Sequence, residues 1–161
     1  MTDAKPPIAV AAAEVPPRAR ASTYPADLVA KIGGRQKTVL GDLFGLQNFG
    51  VNLTRLPPGS ASALRHAHEK QDEFVYILEG ACTLVTDAGE TPMAAGMCAG
   101  FRAGTGDAHH LVNRGSADCL YLEVGDRTRF EKVEYPDDDL MILPGPDGKS
   151  VYYRKDGTPI F

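Results

Sequence analysis

From Val39 to Gly125 the chain is built of short runs of β-branched, aromatic or alternating residues, broken by glycine or proline about every eight to twelve positions. Asn48 to Leu56, Glu73 to Leu78, Cys82 to Asp87, His109 to Asn113 and Cys119 to Val124 read as strands. Pro57-Pro58-Gly59, Glu79-Gly80 and Asp87-Ala88-Gly89 carry turn chemistry between them. No segment after Gly34 sustains a helical period over three turns. Many short strands at even spacing bury one face only by closing on themselves or stacking. The pattern therefore predicts an all-β barrel or sandwich.

The two ends differ from this centre. Prolines 6, 7, 16 and 17 bar a long helix from residues 1–22, which read as an extended arm over the surface or across a partner subunit. Pro25 to Ile32 predicts a two-turn helix, with Pro25 in its first turn and Gly33-Gly34 as its stop. Residues 23–125 then form the barrel core with this leading helix. Beyond Gly125 the pattern loosens into turns, and Val151 to Arg154 with Asp156-Gly157 resembles a final hairpin. Residues 126–161 read as a C-terminal extension that covers the barrel or a subunit interface.

A chain of 161 residues with 43% hydrophobic content is one domain able to bury a core. Its net charge of −4 opposes a nucleic-acid backbone as partner, and it carries no helix-turn-helix pattern and no basic stripe. No apolar stretch approaches the roughly 20 residues of a membrane span. Cys82, Cys98 and Cys119 lack metal-type spacing and read as buried small hydrophobes in a reducing compartment, so a cytoplasmic location is expected. The acidic run Asp137-Asp138-Asp139 reads as a solvated turn.

Three of the four histidines fall in one pattern with a carboxylate: His66-Ala67-His68, then Glu73, with His109 further on. Alternation along a strand puts His66 and His68 on one face, with Ala67 on the other. Glu69 to Asp72 make a turn, and Glu73 opens the next strand with Val75 and Ile77 on its side. Three imidazoles and a carboxylate suit a divalent transition metal, and a structural zinc site would more often recruit cysteines.

Gly59-(x6)-His66-x-His68-(x4)-Glu73-(x6)-Gly80 resembles the first motif of the cupin superfamily, with six residues between glycine and histidine where the family usually has five. Gly106-x-x-His109-x-x-x-Asn113 matches the end of the second motif, although Gly104 stands where proline is usual. The resemblance covers roughly residues 40–125. It implies a double-stranded β-helix, or jelly-roll, barrel holding one metal ion (Zn, Mn, Fe or Ni) on His66, His68, Glu73 and His109. It also implies a homodimer. Spacing to Asn113 selects His109 over His110, which faces the other way.

Other residues divide between site and scaffold. Glu123 is a candidate acid–base group if Tyr121 and Glu123 turn inward, whereas the apolar row Leu120, Leu122 and Val124 favours a solvated Glu123. Phe101, Arg102 and Asp107 precede His109 and form a candidate substrate-binding rim. Arg65 reads as a surface residue, Tyr76 as packed between elements, and Asn113 as a turn-closing residue.

Resemblance to short cupins grouped with mannose-6-phosphate-isomerase-like proteins implies an enzyme on a sugar or sugar phosphate, its metal polarising a carbonyl. No Lys/Arg cluster in phase with the ligands offers a phosphate grip. An Fe-, Mn- or Ni-dependent dioxygenase and a non-catalytic small-ligand-binding cupin are the alternatives. A small-molecule substrate, rather than nucleic acid or membrane, is the expected partner.

Overall fold

A computed structural model describes residues 6–19 and 22–160; residues 1–5 and 20–21 of the expected arm, and residue 161, lie outside the described residues. The described arm makes one 3-10 turn at Ala12–Glu14, and the Arg18 amide donates to the Lys37 carbonyl at 3.0 Å. Helix α1, Ala26–Val29, tightens into a 3-10 turn at Ala30–Ile32 and stops at Gly33, whose φ of +61° is open to glycine. Pro25 stands just outside α1, so it precedes the first turn.

Twelve strands follow among the described residues. They are β1 (Gln36–Val39), β2 (Phe49–Leu56), β3 (Ala67–His68), β4 (Glu73–Glu79), β5 (Ala81–Thr86) and β6 (Gly89–Ala94), then β7 (Cys98–Phe101), β8 (His110–Val112), β9 (Cys119–Asp126), β10 (Val133–Tyr135), β11 (Leu140–Pro144) and β12 (Ser150–Tyr153). A one-turn helix α2, Leu40–Leu43, joins β1 to β2. The sheets are β1-β2-β9-β4-β7, β6-β5-β8 and β12-β11-β10-β3, all paired antiparallel. This is a jelly-roll barrel.

Alternation explains its interior. In β4 Val75 and Ile77 are buried, while Phe74, Tyr76 and Leu78 face out. They meet Leu56, Cys119 and Tyr121 of the same sheet and Leu84, Met93 and Leu111 of the facing one. Burying a side chain such as Ile77 or Leu56 contributes about 1.5–3 kcal/mol. Gly80 takes the β4–β5 corner at φ +73°, and a Cβ there would lie 2.3 Å from the Asp118 carbonyl. The position admits only glycine.

A second core lies outside this barrel. Leu28 and Ile32 from the leading helix pack with Leu64 and with Val133, Tyr135, Leu140 and Ile142 of the C-terminal strands. Tyr24 sets its ring edge-on to Tyr135 and Tyr152, at 5.8 and 6.1 Å. The extension thus continues the fold, and β10 pairs directly with β3.

Four expectations are corrected. Tyr76 is 39% exposed on the outer face of the five-stranded sheet, because that face is itself apolar and no described element covers β4 there. Cys98 is exposed, since it faces outward from the edge strand β7. The acidic run is a turn with Asp137 and Asp139 exposed, as expected, and only Asp138 departs from the solvated reading, buried and paired with Lys31. Strands β1, β6, β7, β10 and β11 are additional to the stretches read from sequence. Pro92 inside β6 is tolerated because β6 is the edge of its sheet.

Candidate metal centre

The segment carrying the first two histidines changes partner as it runs. Ala61 bridges Val112 and His66 bridges His109, so five steps on one side face three on the other and the excess bulges out at Ser62–Arg65. Ala67 and His68 then leave β8 and pair with β10. Gly104, in place of the usual proline, has φ +74° and donates its amide to the His68 carbonyl at 2.9 Å. Proline can do neither.

The three imidazoles converge on one carboxylate oxygen. Nε2 of His109 lies 2.9 Å from Glu73 Oε2, and Nε2 of His66 and of His68 each lie 3.5 Å from it. One donor atom from each of His66, His68 and Glu73 falls within 4.8 Å of the others. The Nδ1 of His66 lies 2.8 Å from the Leu64 carbonyl, a pure acceptor, so that nitrogen holds the proton and Nε2 is left for a metal. The His109 ring stacks on Phe101 at 3.5 Å and 2°, and the His66 ring stacks on Tyr135 at 5.8 Å and 27°. His110 turns away, its Nδ1 3.0 Å from the Ala63 carbonyl.

Burial and charge oppose each other in this cluster. Burial penalises the Glu73 carboxylate, yet hydrogen bonds from His109 and His66 outweigh it and hold the acid well below its usual range. Burial drives the His68 imidazole down to about 4. Burial also disfavours charge on His66, but the hydrogen bond and charge of Glu73 prevail and raise it. An N₃O donor set with neutral His68 and ionised Glu73 fits a divalent transition metal.

Beside the ligands a cavity of about 70 Å³ is lined by Lys37, Ser62, His66, Glu73, Phe101 and Glu123, among others. Residues in register with Glu123 are Asn52 on β2 and Val75 on β4. Cys119, Tyr121 and Glu123 share the inner face, so the solvated reading of Glu123 is overturned. The Leu120–Leu122–Val124 row instead faces the outside of the sheet.

Lys37 Nζ at 2.7 Å and Asn52 Nδ2 at 3.0 Å both donate to Glu123 Oε1. Oε2 has the Tyr121 hydroxyl at a long 3.5 Å. Burial, and then the charge of Glu123, pushes the Tyr121 phenol well above its usual value, so it stays protonated.

The Cupin domain family matches residues 52–125. A sugar phosphate isomerase of the cupin superfamily from Silicibacter pomeroyi DSS-3 is 48% identical, with a TM-score of 0.80, over 87% of this chain and 88% of that one. The chain belongs to the cupin superfamily. A protein provisionally named a sugar phosphate isomerase, from Acidithiobacillus ferrooxidans, is 28% identical with a TM-score of 0.70, over 79% of this cupin and 80% of that chain. The polyketide cyclase RemF from Streptomyces resistomycificus shares the fold, at 21% identity and a TM-score of 0.61 over 73% of this cupin and 78% of that chain. Among curated proteins none matches in sequence.

Within this cupin the remaining rim residues separate. Phe101 reaches the cavity through its stack on His109. Arg102 is exposed and is not among the residues lining the cavity. Asp107 is exposed and accepts the Asp87 amide at 2.9 Å, fixing a turn. Asn113 is fully buried, donating to the Leu56 and Ala117 carbonyls and accepting the Gly115 amide. Lys37 was missed by sequence reasoning because β1 was not read as a strand. The alternation of Lys37 and Val39 between Gln36 and Thr38 was the available signal.

Proposed function

We propose that this cupin is a metal-dependent isomerase of a small hydroxy-carbonyl compound, a sugar or sugar phosphate. The observation that carries the reading is Glu123, whose carboxylate faces the same cavity as His66, Glu73 and His109 with one oxygen clamped and the other free of strong donors. The 48% identity to a protein named sugar phosphate isomerase supports it. A bound divalent ion would be held by His66, His68, Glu73 and His109 and would polarise a carbonyl.

The chain's own residues then do the proton work. Lys37 and Asn52 fix Oε1 of Glu123, which aims Oε2 at the substrate. Oε2 takes the proton from the hydroxyl-bearing carbon next to the carbonyl and returns it to the former carbonyl carbon, while the hydroxyl proton passes to the former carbonyl oxygen, so that an enediol links the two isomers. The Lys37 ammonium also lines the cavity and offers a donor to an oxygen-rich ligand. The apolar lining from Val75, Phe101 and Leu111 limits water around the transferred proton.

The test is solvent-deuterium exchange into C2 and C1 of a panel of aldose and ketose phosphates, using metal-loaded protein. Exchange should appear with at least one compound, and Glu123→Gln should lower its rate by about 10²–10⁴-fold while metal content stays unchanged. No exchange across the panel, or full exchange by Glu123→Gln, would remove the proposal.

A further inference from the structure

The C-terminal extension places a carboxylate behind a ligand. Glu131 is 5% exposed, and the cations of the described residues make no ion pair with it. Its Oε1 accepts the Glu69 amide at 2.8 Å, and both oxygens accept the Lys70 amide at 3.2 and 3.1 Å. These are the two residues immediately after His68. The remaining neighbour is His68 itself, whose Nδ1 lies 3.8 Å from Oε1. That Nδ1 is buried and has no hydrogen-bond partner.

A buried carboxylate held only by neutral amides is costly unless positive charge is supplied nearby. Imidazole chemistry says where that charge comes from. A ring that offers Nε2 to a metal must carry its proton on Nδ1, and ligated histidines regularly give that proton to a carboxylate or carbonyl. His66 meets the requirement with the Leu64 carbonyl. For His68 the acceptor at hand is Glu131, about 0.9 Å beyond ordinary hydrogen-bond length. Phe130, the preceding residue, is the one non-glycine at positive φ among the described residues, at +59°. A non-glycine residue keeps such a conformation where the surrounding structure over-determines it.

We propose that Glu131 is a positioning residue for the metal site, accepting the Nδ1 proton of His68 and so orienting that ring and raising its affinity for a divalent cation. The inference rests on the metal site alone, and it stands or falls separately from the isomerase reading. Residues 126–161 are then part of the site as well as of its scaffold.

Chelator-competition titration with Zn²⁺ tests it on the full chain, alongside melting of the metal-free protein. Glu131→Gln keeps an oxygen for the Glu69 and Lys70 amides and removes the charge, and it should lower Zn²⁺ affinity by about tenfold or more with metal-free melting unchanged. The Co²⁺-loaded variant should show an altered ligand-field spectrum, which a remote structural change would not produce. Asp126→Asn, which removes another carboxylate whose field reaches His68, should cost less affinity than Glu131→Gln. Wild-type affinity in Glu131→Gln, an equal loss in Asp126→Asn, or an affinity loss matched by collapse of metal-free melting would each overturn the proposal.

Discussion

The two cores of this cupin do different work around one cluster of ligands. The barrel core, built on Val75, Ile77, Leu111 and Tyr121, carries Glu73 and Glu123 on strands it holds rigid. The second core, built on Leu28, Leu64, Tyr135 and Leu140, holds the far side: Leu64 supplies the carbonyl for His66, and Tyr135 stacks on that ring. One core carries the two carboxylates and the other fixes how the His66 imidazole points. A barrel alone would keep the Phe101 stack on His109 but lose both contacts that orient His66.

Truncations in the two cores should separate these roles. Ile77→Ala and Leu140→Ala each remove a fully buried side chain and should cost about 2–5 kcal/mol in denaturant unfolding. Only Leu140→Ala should also weaken Zn²⁺ binding in the surviving folded protein. Equal Zn²⁺ affinity in both variants would erase the distinction.

Removing a ligand is the next largest effect. Glu73→Ala should lower Zn²⁺ affinity by at least about a hundredfold, more than the tenfold to hundredfold typical of losing a residue that only supports a ligand. Isothermal titration of both proteins checks it, and near-native binding would contradict the site.

Protons should compete with the metal unequally. His66 is raised above its ordinary value, so its charged form persists upward of pH 6.5 and must be displaced by the ion. His68, at about 4, and Glu73, lower than a usual acid, are already deprotonated there. Zn²⁺ affinity should therefore fall as pH drops below 7, by up to about tenfold per unit for one proton. A profile flat from pH 7 to 5 would contradict the charge balance described for His66.

The smallest effect concerns the ring contact between the cores. Tyr135→Leu keeps an apolar side chain but loses the stack on His66, and such pairs contribute about 0.5–1.5 kcal/mol. A drop of roughly two- to tenfold in metal affinity is expected from titration.

Much of this architecture is legible in the amino-acid sequence, for identifiable reasons. Glu73 to Leu78 alternates cleanly, so its strand and its buried side can be read directly. His66, His68, Glu73 and His109 can be assembled because ligand chemistry restricts their spacing. The facing of Glu123 cannot, because Leu120, Leu122 and Val124 face outward on a sheet whose outer surface is also apolar. The described arm lines a cleft with Leu53 and Leu120, so apolar residues there do not mark the interior. Lys37 stays hidden because Gln36–Val39 is too short and polar to declare a strand. Glu131 stays hidden because it is distant in sequence from His68, beside which the β3–β10 pairing and the Glu69 and Lys70 amides place it.

The hand-over between His66 and Ala67 has a kinetic consequence. His66 is bridged to His109 next to β8, while His68 belongs to the sheet of β10, so an ion bound by both would rivet two sheets at the point where the chain passes between them. Release of that ion would require the seam to part. Its dissociation should then follow the steep temperature dependence of local unfolding rather than the shallow one of ligand exchange at a preformed, open pocket.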